Sequence, residues 1–162
     1  MSLEVEIAFT LNGRAVSAAV PATASALTVL RERFDLAGAK LVCGEGECGA
    51  CTIIVDGLSL NSCLMPAVDL AGRTVRTVEG LWGERGLDPV QQAFVDTGAV
   101  QCGYCTAGMV MQIRHALDRN PAAGEAELRR AIEGNVCRCT GYAKVIEAAL
   151  AAGQRMRGGG AP

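Results

Sequence analysis

The residues best equipped for chemistry are eight cysteines, in a chain of 162 residues that holds a single histidine. They fall into two groups of four. The first reads Cys43-x4-Cys48-x2-Cys51 and is completed, eleven residues on, by Cys63. The second reads Cys102-x2-Cys105 and is completed, thirty-one residues on, by Cys137-x-Cys139. No cysteine is left over to act as a nucleophile. Thiolates are soft ligands that select zinc, copper(I) or iron–sulfur clusters; the other use of eight cysteines is four disulfides. The opening MSLEVEIAFT carries two acids and no apolar segment of the signal-peptide kind, and no twin-arginine signal is seen. The expectation is a cytoplasmic chain, where thiols stay reduced and patterned cysteines bind metal more often than they pair.

The spacing of the first quartet is that of a plant-type [2Fe–2S] site. Such a cluster is anionic and gains charge on reduction, so peptide N–H groups must point at its sulfurs. Glycines let a backbone curl tightly enough to do that, and Gly44, Gly46 and Gly49 lie between the cysteines. The same three glycines spell G-x-G-x-x-G, and Asp69 stands twenty residues beyond Gly49, where a ribose-binding acid would be sought. The context is wrong for a dinucleotide site. The stretch runs into strand-forming Thr52-Ile53-Ile54-Val55 rather than a helix, and Glu45 and Glu47 would repel a pyrophosphate. In the second quartet the C-x-C pair is unusual for structural zinc, which prefers ligands two to four residues apart; zinc nevertheless remains an alternative for both quartets. One histidine, His115, is too few for Rieske ligation or a Cys2His2 zinc site, and it reads as an ordinary helix residue. The chain has no Ser–His–Asp signature, no HExxH and no phosphate loop. Two one-electron centres without substrate apparatus point to electron transfer.

These thiols must be held by a scaffold. Half of the residues are hydrophobic but only 4% are aromatic, so the core is built from aliphatic side chains. A net charge of −2 gives no case for nucleic acid, and no apolar run approaches the ~18 residues that span a membrane. Residues 3–20 alternate as strands around Asn12-Gly13, a hairpin signal. Residues 26–36 place Leu27, Leu30 and Phe34 at helical spacing. Thr52–Val55 and Leu58–Leu60 form a second hairpin around Asp56-Gly57, and residues 73–78 read as a further strand. Residues 1–78 are thus a small mixed β domain, 79–87 a Gly-rich linker, 88–155 a helical domain and 156–162 a flexible tail. Four helices are expected: from Asp88-Pro89 to Thr97, from Cys105 to Asp118, from Glu125 to Glu133 with Gly134-Asn135 as a left-handed cap, and from Thr140-Gly141 to Ala152. Met109, Met111 and Trp82 read as packing residues; Tyr104 and Tyr142, beside the cysteines, read as shields or as packing.

The blocks CGEGECGACT, NSCL, QCGYCTAGM and GNVCRCTGY, in that order, resemble the small iron–sulfur subunit of the molybdenum hydroxylases, the xanthine dehydrogenase, aldehyde oxidase and carbon monoxide dehydrogenase family. The resemblance runs from the first strand to about residue 150. It implies an α+β chain, with an N-terminal β-grasp, plant-type ferredoxin-like domain followed by a C-terminal four-helix-bundle [2Fe–2S] domain. It implies a distal cluster on Cys43, Cys48, Cys51 and Cys63, and a proximal one on Cys102, Cys105, Cys137 and Cys139. Gln101 and Cys139 would lie against the molybdopterin, in bacteria often its cytosine dinucleotide, of a separate large subunit. Electrons would pass to FAD on a medium subunit, or to another acceptor, in a heterotrimer or its dimer. One departure stands out: the family usually reads C-T-P-G-M, and this chain has Ala107 at the proline. Rival readings are a stand-alone ferredoxin-like carrier, which needs only the first quartet, a zinc-stabilised interaction protein, and a reductive family member of the aryl-CoA reductase type. The substrate would be set by the large subunit; purines, N-heteroaromatics, nicotinate, aldehydes and carbon monoxide are all open.

Overall fold

The computed structural model describes residues 3–83 and 86–158. It opens with β1 (Glu4–Leu11) and β2 (Arg14–Pro21), paired antiparallel. The turn between them is Asn12-Gly13, and both residues take positive φ, 50° and 81°, as a type I′ turn requires. Ile7, Phe9 and Leu11 alternate into the core, the two-residue period of a strand. Helix α1 (Ala26–Glu32) starts on Ser25, whose hydroxyl oxygen accepts from the Thr28 amide at 3.2 Å. It stops short of residue 36 because Asp35 turns left-handed, φ 55°, and the Leu36 amide folds back onto the Leu30 carbonyl. Phe34 thereby leaves the helix and meets Phe9 edge-on, ring centroids 5.6 Å apart.

Strands β3 (Thr52–Val55) and β4 (Leu58–Asn61) form the second hairpin. The short β5 (Thr74–Arg76) slots between β1, to which it is parallel, and β3, to which it is antiparallel, giving the order β2-β1-β5-β3-β4. Its pairing covers fewer residues than the 73–78 expected. Leu27, Val29 and Leu30 of α1 close one face of this sheet over Ile7, Phe9, Ile53 and Val75. The result is the β-grasp arrangement, a mixed sheet clasping one helix.

All four residues of β3 are buried, which a one-sided sheet would not produce. Ile53 and Val55 belong to the α1 side, while the other face of β3 is covered by α3 (Thr106–Arg119). This helix belongs to a second core formed with α2 (Pro89–Thr97), α4 (Glu125–Ala131) and α5 (Ala143–Arg157). Helix α2 begins as expected. Asp88 Oδ1 accepts from the Val90 amide at 2.9 Å, the Gln91 side chain accepts from the Asp88 amide at 3.1 Å, and Pro89 is the first helical residue. Gly98, φ 65°, closes it. Met109 and Met111 of α3 are fully buried, as expected of packing residues.

Several expectations are corrected here. Helix α4 ends at Ala131, and the left-handed cap at Gly134-Asn135 does not form; the Asn135 side chain turns towards the sheet domain instead. Helix α5 starts at Ala143 rather than at residue 140, because Gly141 and Tyr142 take φ of 63° and 66°. It passes Ala152 and reaches Arg157, with Gly153 buried against the Pro121 carbonyl. Met156 and Arg157, read as the start of a tail, are therefore helical; residues 159–162 lie outside the described residues. In the stretch read as a linker, Val78–Leu81 is a 3-10 turn whose Val78 and Leu81 pack against the helical core, and residues 84–85 lie outside the described residues. Trp82 is 69% exposed and packs into neither core. Among the described residues no helix is long and apolar enough to cross a membrane.

Candidate metal centres

The first three cysteines ride on a loop with little regular structure between α1 and β3. Gly44, Gly46 and Gly49 all take positive φ, 72°, 77° and 67°, a region that costs a side-chain-bearing residue about 1–2 kcal/mol. The curl they permit turns amides inward. The Glu45 amide donates to Cys43 Sγ at 3.4 Å. With the Cys48 thiol and the Cys48 and Glu47 amides it holds the Cys43 thiol down at about 6. Cys63 is carried to the same place by the end of β4. There Ser62 donates its hydroxyl to the Cys51 carbonyl at 2.7 Å, and Asn61 Nδ2 donates to the Gly46 carbonyl at 2.5 Å. Burial pushes the Cys51 thiol up to about 11, with Cys63 beside it.

The second quartet is assembled from two loops. Cys102 and Cys105 precede α3, and Cys137 and Cys139 lie between α4 and α5. Cys102 and Cys139 are exposed, their sulfurs 3.5 Å apart. The Tyr104 amide, then the Cys139 thiol, lower Cys102; the contact with Cys102 raises Cys139. Burial pushes Cys105 up to about 12, with Cys137 as its neighbour. Burial also raises Cys137, but the Thr140 hydroxyl at 3.1 Å and amide at 3.4 Å outweigh it and bring the thiol to about 7. The Tyr142 hydroxyl accepts from the Cys137 amide at 2.7 Å and donates to the Asn135 carbonyl at 3.2 Å. Tyr142 is therefore a brace for the cysteine loop rather than a shield. Tyr104 is exposed, with the Lys40 ammonium 5.8 Å from its ring centroid. His115 sits half-buried on α3 and faces Gly57 of the β3–β4 turn.

All eight cysteines are free thiols. Among the described residues no group of three or more His, Cys, Asp or Glu side chains closes on a single metal ion. The thiols instead meet in twos: Cys43 with Cys48, Cys51 with Cys63, Cys102 with Cys139, Cys105 with Cys137. That is the donor set a two-iron core takes, two thiolates per iron, with backbone amides and the Thr140 hydroxyl turned towards the sulfurs. The residues present fit the cluster. Two surface clefts among the described residues, of about 180 and 230 Å³, are lined by other residues, among them Thr52, Gln112 and Asn135 in one and Arg129 and Tyr142 in the other.

Sequence reasoning missed the roles of Thr140, Tyr142, Asn135 and Gly108. Each is a common residue whose partner is distant in sequence or lies in an irregular loop, so no local pattern marks it.

Residues 9–73 match the family of 2Fe-2S iron-sulfur cluster binding domains, and residues 77–150 match the family of [2Fe-2S] binding domains. The chain is 41% identical over 152 residues to the nicotinate dehydrogenase small FeS subunit of Eubacterium barkeri, covering 94% of this chain and 97% of that one. It is 45% identical over 146 residues to the nicotine 6-hydroxylase small subunit of Paenarthrobacter nicotinovorans, covering 90% and 88%. The crystal structure of quinoline 2-oxidoreductase from Pseudomonas putida 86 superposes with a TM-score of 0.92 at 40% identity, over 96% of this chain and 98% of that one. With two cluster-binding domains in series and these relatives matched almost end to end, the chain belongs to the small iron–sulfur subunits of the molybdenum hydroxylases, electron-transfer subunits of oxidoreductases.

Proposed function

We propose that Cys43, Cys48, Cys51 and Cys63 ligate a distal [2Fe–2S] cluster, and Cys102, Cys105, Cys137 and Cys139 a proximal one, in the cytoplasm. A bound [2Fe–2S] cluster takes up and releases one electron at a time. The chain's own part is to supply the thiolates in pairs, to aim amides at the sulfurs and to hold the two quartets in one frame. The observation that carries this reading is the pairwise meeting of the thiols in two places, each with a donor turned onto a sulfur: the Glu45 amide on Cys43 and Thr140 on Cys137.

The proximal quartet would face the partner that holds the molybdopterin, in its cytosine dinucleotide form, on a large catalytic subunit. Gln101 is exposed beside Cys102, and Cys102 meets Cys139 at 3.5 Å, so Gln101 and Cys139 share one open edge of the chain. The exposed amide of Gln101 can donate and accept there. The distal quartet would pass electrons to a medium subunit carrying FAD, completing a heterotrimer or its dimer. We infer a domain boundary at residues 79–87; the two family matches abut a little before it, one ending at residue 73 and the other starting at residue 77.

The test is spectroscopic. In the purified complex, Cys43→Ala and Cys139→Ala should each abolish a different one of two paramagnetic signals of the reduced protein. Gln101→Ala should keep both signals and slow reduction of the clusters by substrate. If either cysteine variant retains both signals, the ligand assignment is wrong; if Gln101→Ala reduces at the unaltered rate, the pterin-facing assignment is wrong.

A further inference from the structure

Three contacts converge on two adjacent peptide groups of the first cysteine loop, Cys48–Gly49 and Gly49–Ala50. Asn135 Nδ2 donates to the Gly49 carbonyl at 3.0 Å and lies 3.3 Å from Thr52 Oγ1, all buried. The next residue, Val136, donates its amide to the Cys48 carbonyl at 3.0 Å. From the other side, α3 presses Gly108 against Gly49 so closely that a Cβ on Gly108 would collide with the Gly49 carbonyl oxygen. Gly49 in turn is packed against Asn135 and the Gly134 carbonyl. The Cys48–Gly49 backbone is thus gripped by the helical half at Gly108, Asn135 and Val136, and Val136 is bonded directly to Cys137. Tyr142 completes the frame by bridging the Asn135 carbonyl and the Cys137 amide.

We propose that Asn135 is a positioning residue which, with Gly108 and the Val136 amide, locks the Cys43–Cys51 loop against the Cys137–Cys139 loop and so fixes the separation of the two clusters. This rests on the reading that each quartet holds a cluster. Its physical basis is that a buried amide side chain must be satisfied. With Gly49 and Thr52 as its partners, Asn135 is satisfied only while the two loops keep their present relation. Replacing Asn135 with a residue that cannot donate leaves the Gly49 carbonyl paired with the Thr52 hydroxyl at 2.6 Å and the Thr52 amide at 3.2 Å, both within the sheet domain, and removes the side-chain bond that ties it to the helical half, which releases the clamp. Neither quartet loses a thiol in the process.

The experiment uses the whole complex, fully reduced, with the magnetic coupling between its two paramagnetic centres as the readout. That coupling falls with the cube of their separation and is insensitive to overall stability. Asn135→Ala and Gly108→Ala should both keep four irons per chain and both individual signals, while the splitting between them shrinks or broadens. Asn135 is tested by loss of a donor and Gly108 by an added methyl, so a shared outcome identifies the peptide they both hold. A variant that does not fold is replaced by the unaltered protein under hydrogen exchange: the Val136 amide should be among the slowly exchanging sites. Unchanged splitting in both variants, or a fast-exchanging Val136 amide, overturns the clamp. An unaltered complex with fewer than four irons per chain, or with one paramagnetic signal, overturns the cluster reading instead.

Discussion

Arg114 of α3 reaches Asp88 Oδ2 at 3.0 Å, while the other oxygen of Asp88 caps α2. Both side chains are largely buried, 18% and 9% exposed. Arg114 also holds Asp118 Oδ1 at 2.8 Å, and Asp118 Oδ2 holds Arg76 of β5 at 2.7 Å. A chain of alternating charge therefore runs from the end of the central strand of the sheet to the N-cap of α2. Burial raises the Asp88 carboxyl above its ordinary value, against the Val90 amide and Arg114, which pull it down.

Asp88→Ala should be the costliest single change in this network. Losing the cap alone costs about 1 kcal/mol, and stranding a partly buried guanidinium adds to it; a total of about 2–4 kcal/mol is expected. Asp88→Asn keeps a good cap and should cost less. Denaturant titration of the full chain ranks the two. Equal losses would mean that the cap contributes nothing beyond the ion pair.

His115 allows a pH prediction without ambiguity, since it is the only histidine. It is half-buried on α3 and faces Gly57 of the β3–β4 turn; burial lowers its pKa, as does Arg119, with Arg76 adding to this and Asp118 opposing it. Its native pKa lies below the unfolded value of about 6.5. In between, the unfolded chain binds more protons, so stability is intact above about pH 6.5 and is lost as pH falls towards the native value. Thermal midpoints should drop over that interval more steeply for the unaltered chain than for His115→Gln. A native titration midpoint of 6.5 or higher, followed by NMR, would contradict this.

Local features are legible in the sequence alone. Asn12-Gly13 and Asp56-Gly57 turn as hairpins because their conformational demand is carried by two adjacent residues. Asp88-Pro89 starts α2 because capping is also local. The cysteine spacing announces both quartets, and the loop glycines adopt the positive φ inferred for them. Illegible are the features set by distant partners. Gly134-Asn135 follows a helix and looks like a cap, yet Asn135 is claimed by Gly49, 86 positions away in sequence. Gly153 looks like a helix end, but close packing against the Pro121 carbonyl retains it inside α5. β5 enters the sheet between β1 and β3, an insertion that no local periodicity records.

Two glycines with similar backbone angles separate strain from packing. Gly46 and Gly57 have φ of 77° and 81°. A Cβ on Gly57 would meet open space, whereas one on Gly46 would run into the Leu64 side chain beside Cys63. Alanine at either position should cost about 1–2 kcal/mol in backbone strain. Gly46→Ala should in addition lower iron occupancy of the first quartet, leaving the second loaded, while Gly57→Ala keeps both. Iron analysis combined with the two paramagnetic signals decides. Full occupancy in Gly46→Ala would show that the loop gives way without disturbing the thiols.

Ala107 occupies the second position of α3, after Thr106. The amide of that position has no partner inside a helix, so replacing it with proline removes no helical hydrogen bond, and proline's fixed φ suits a first turn. Ala107 is buried beside Gly108, so the ring must fit the space where α3 meets the first cysteine loop. Ala107→Pro should therefore preserve both clusters and stabilise the chain by about 0.4–1 kcal/mol, by restricting the unfolded state. Chemical denaturation alongside iron analysis tests this. A destabilised but fully loaded variant would show that the packing around Gly108 has tightened onto alanine, and that the departure from proline is built into the contact between α3 and the Gly49–Ala50 peptide.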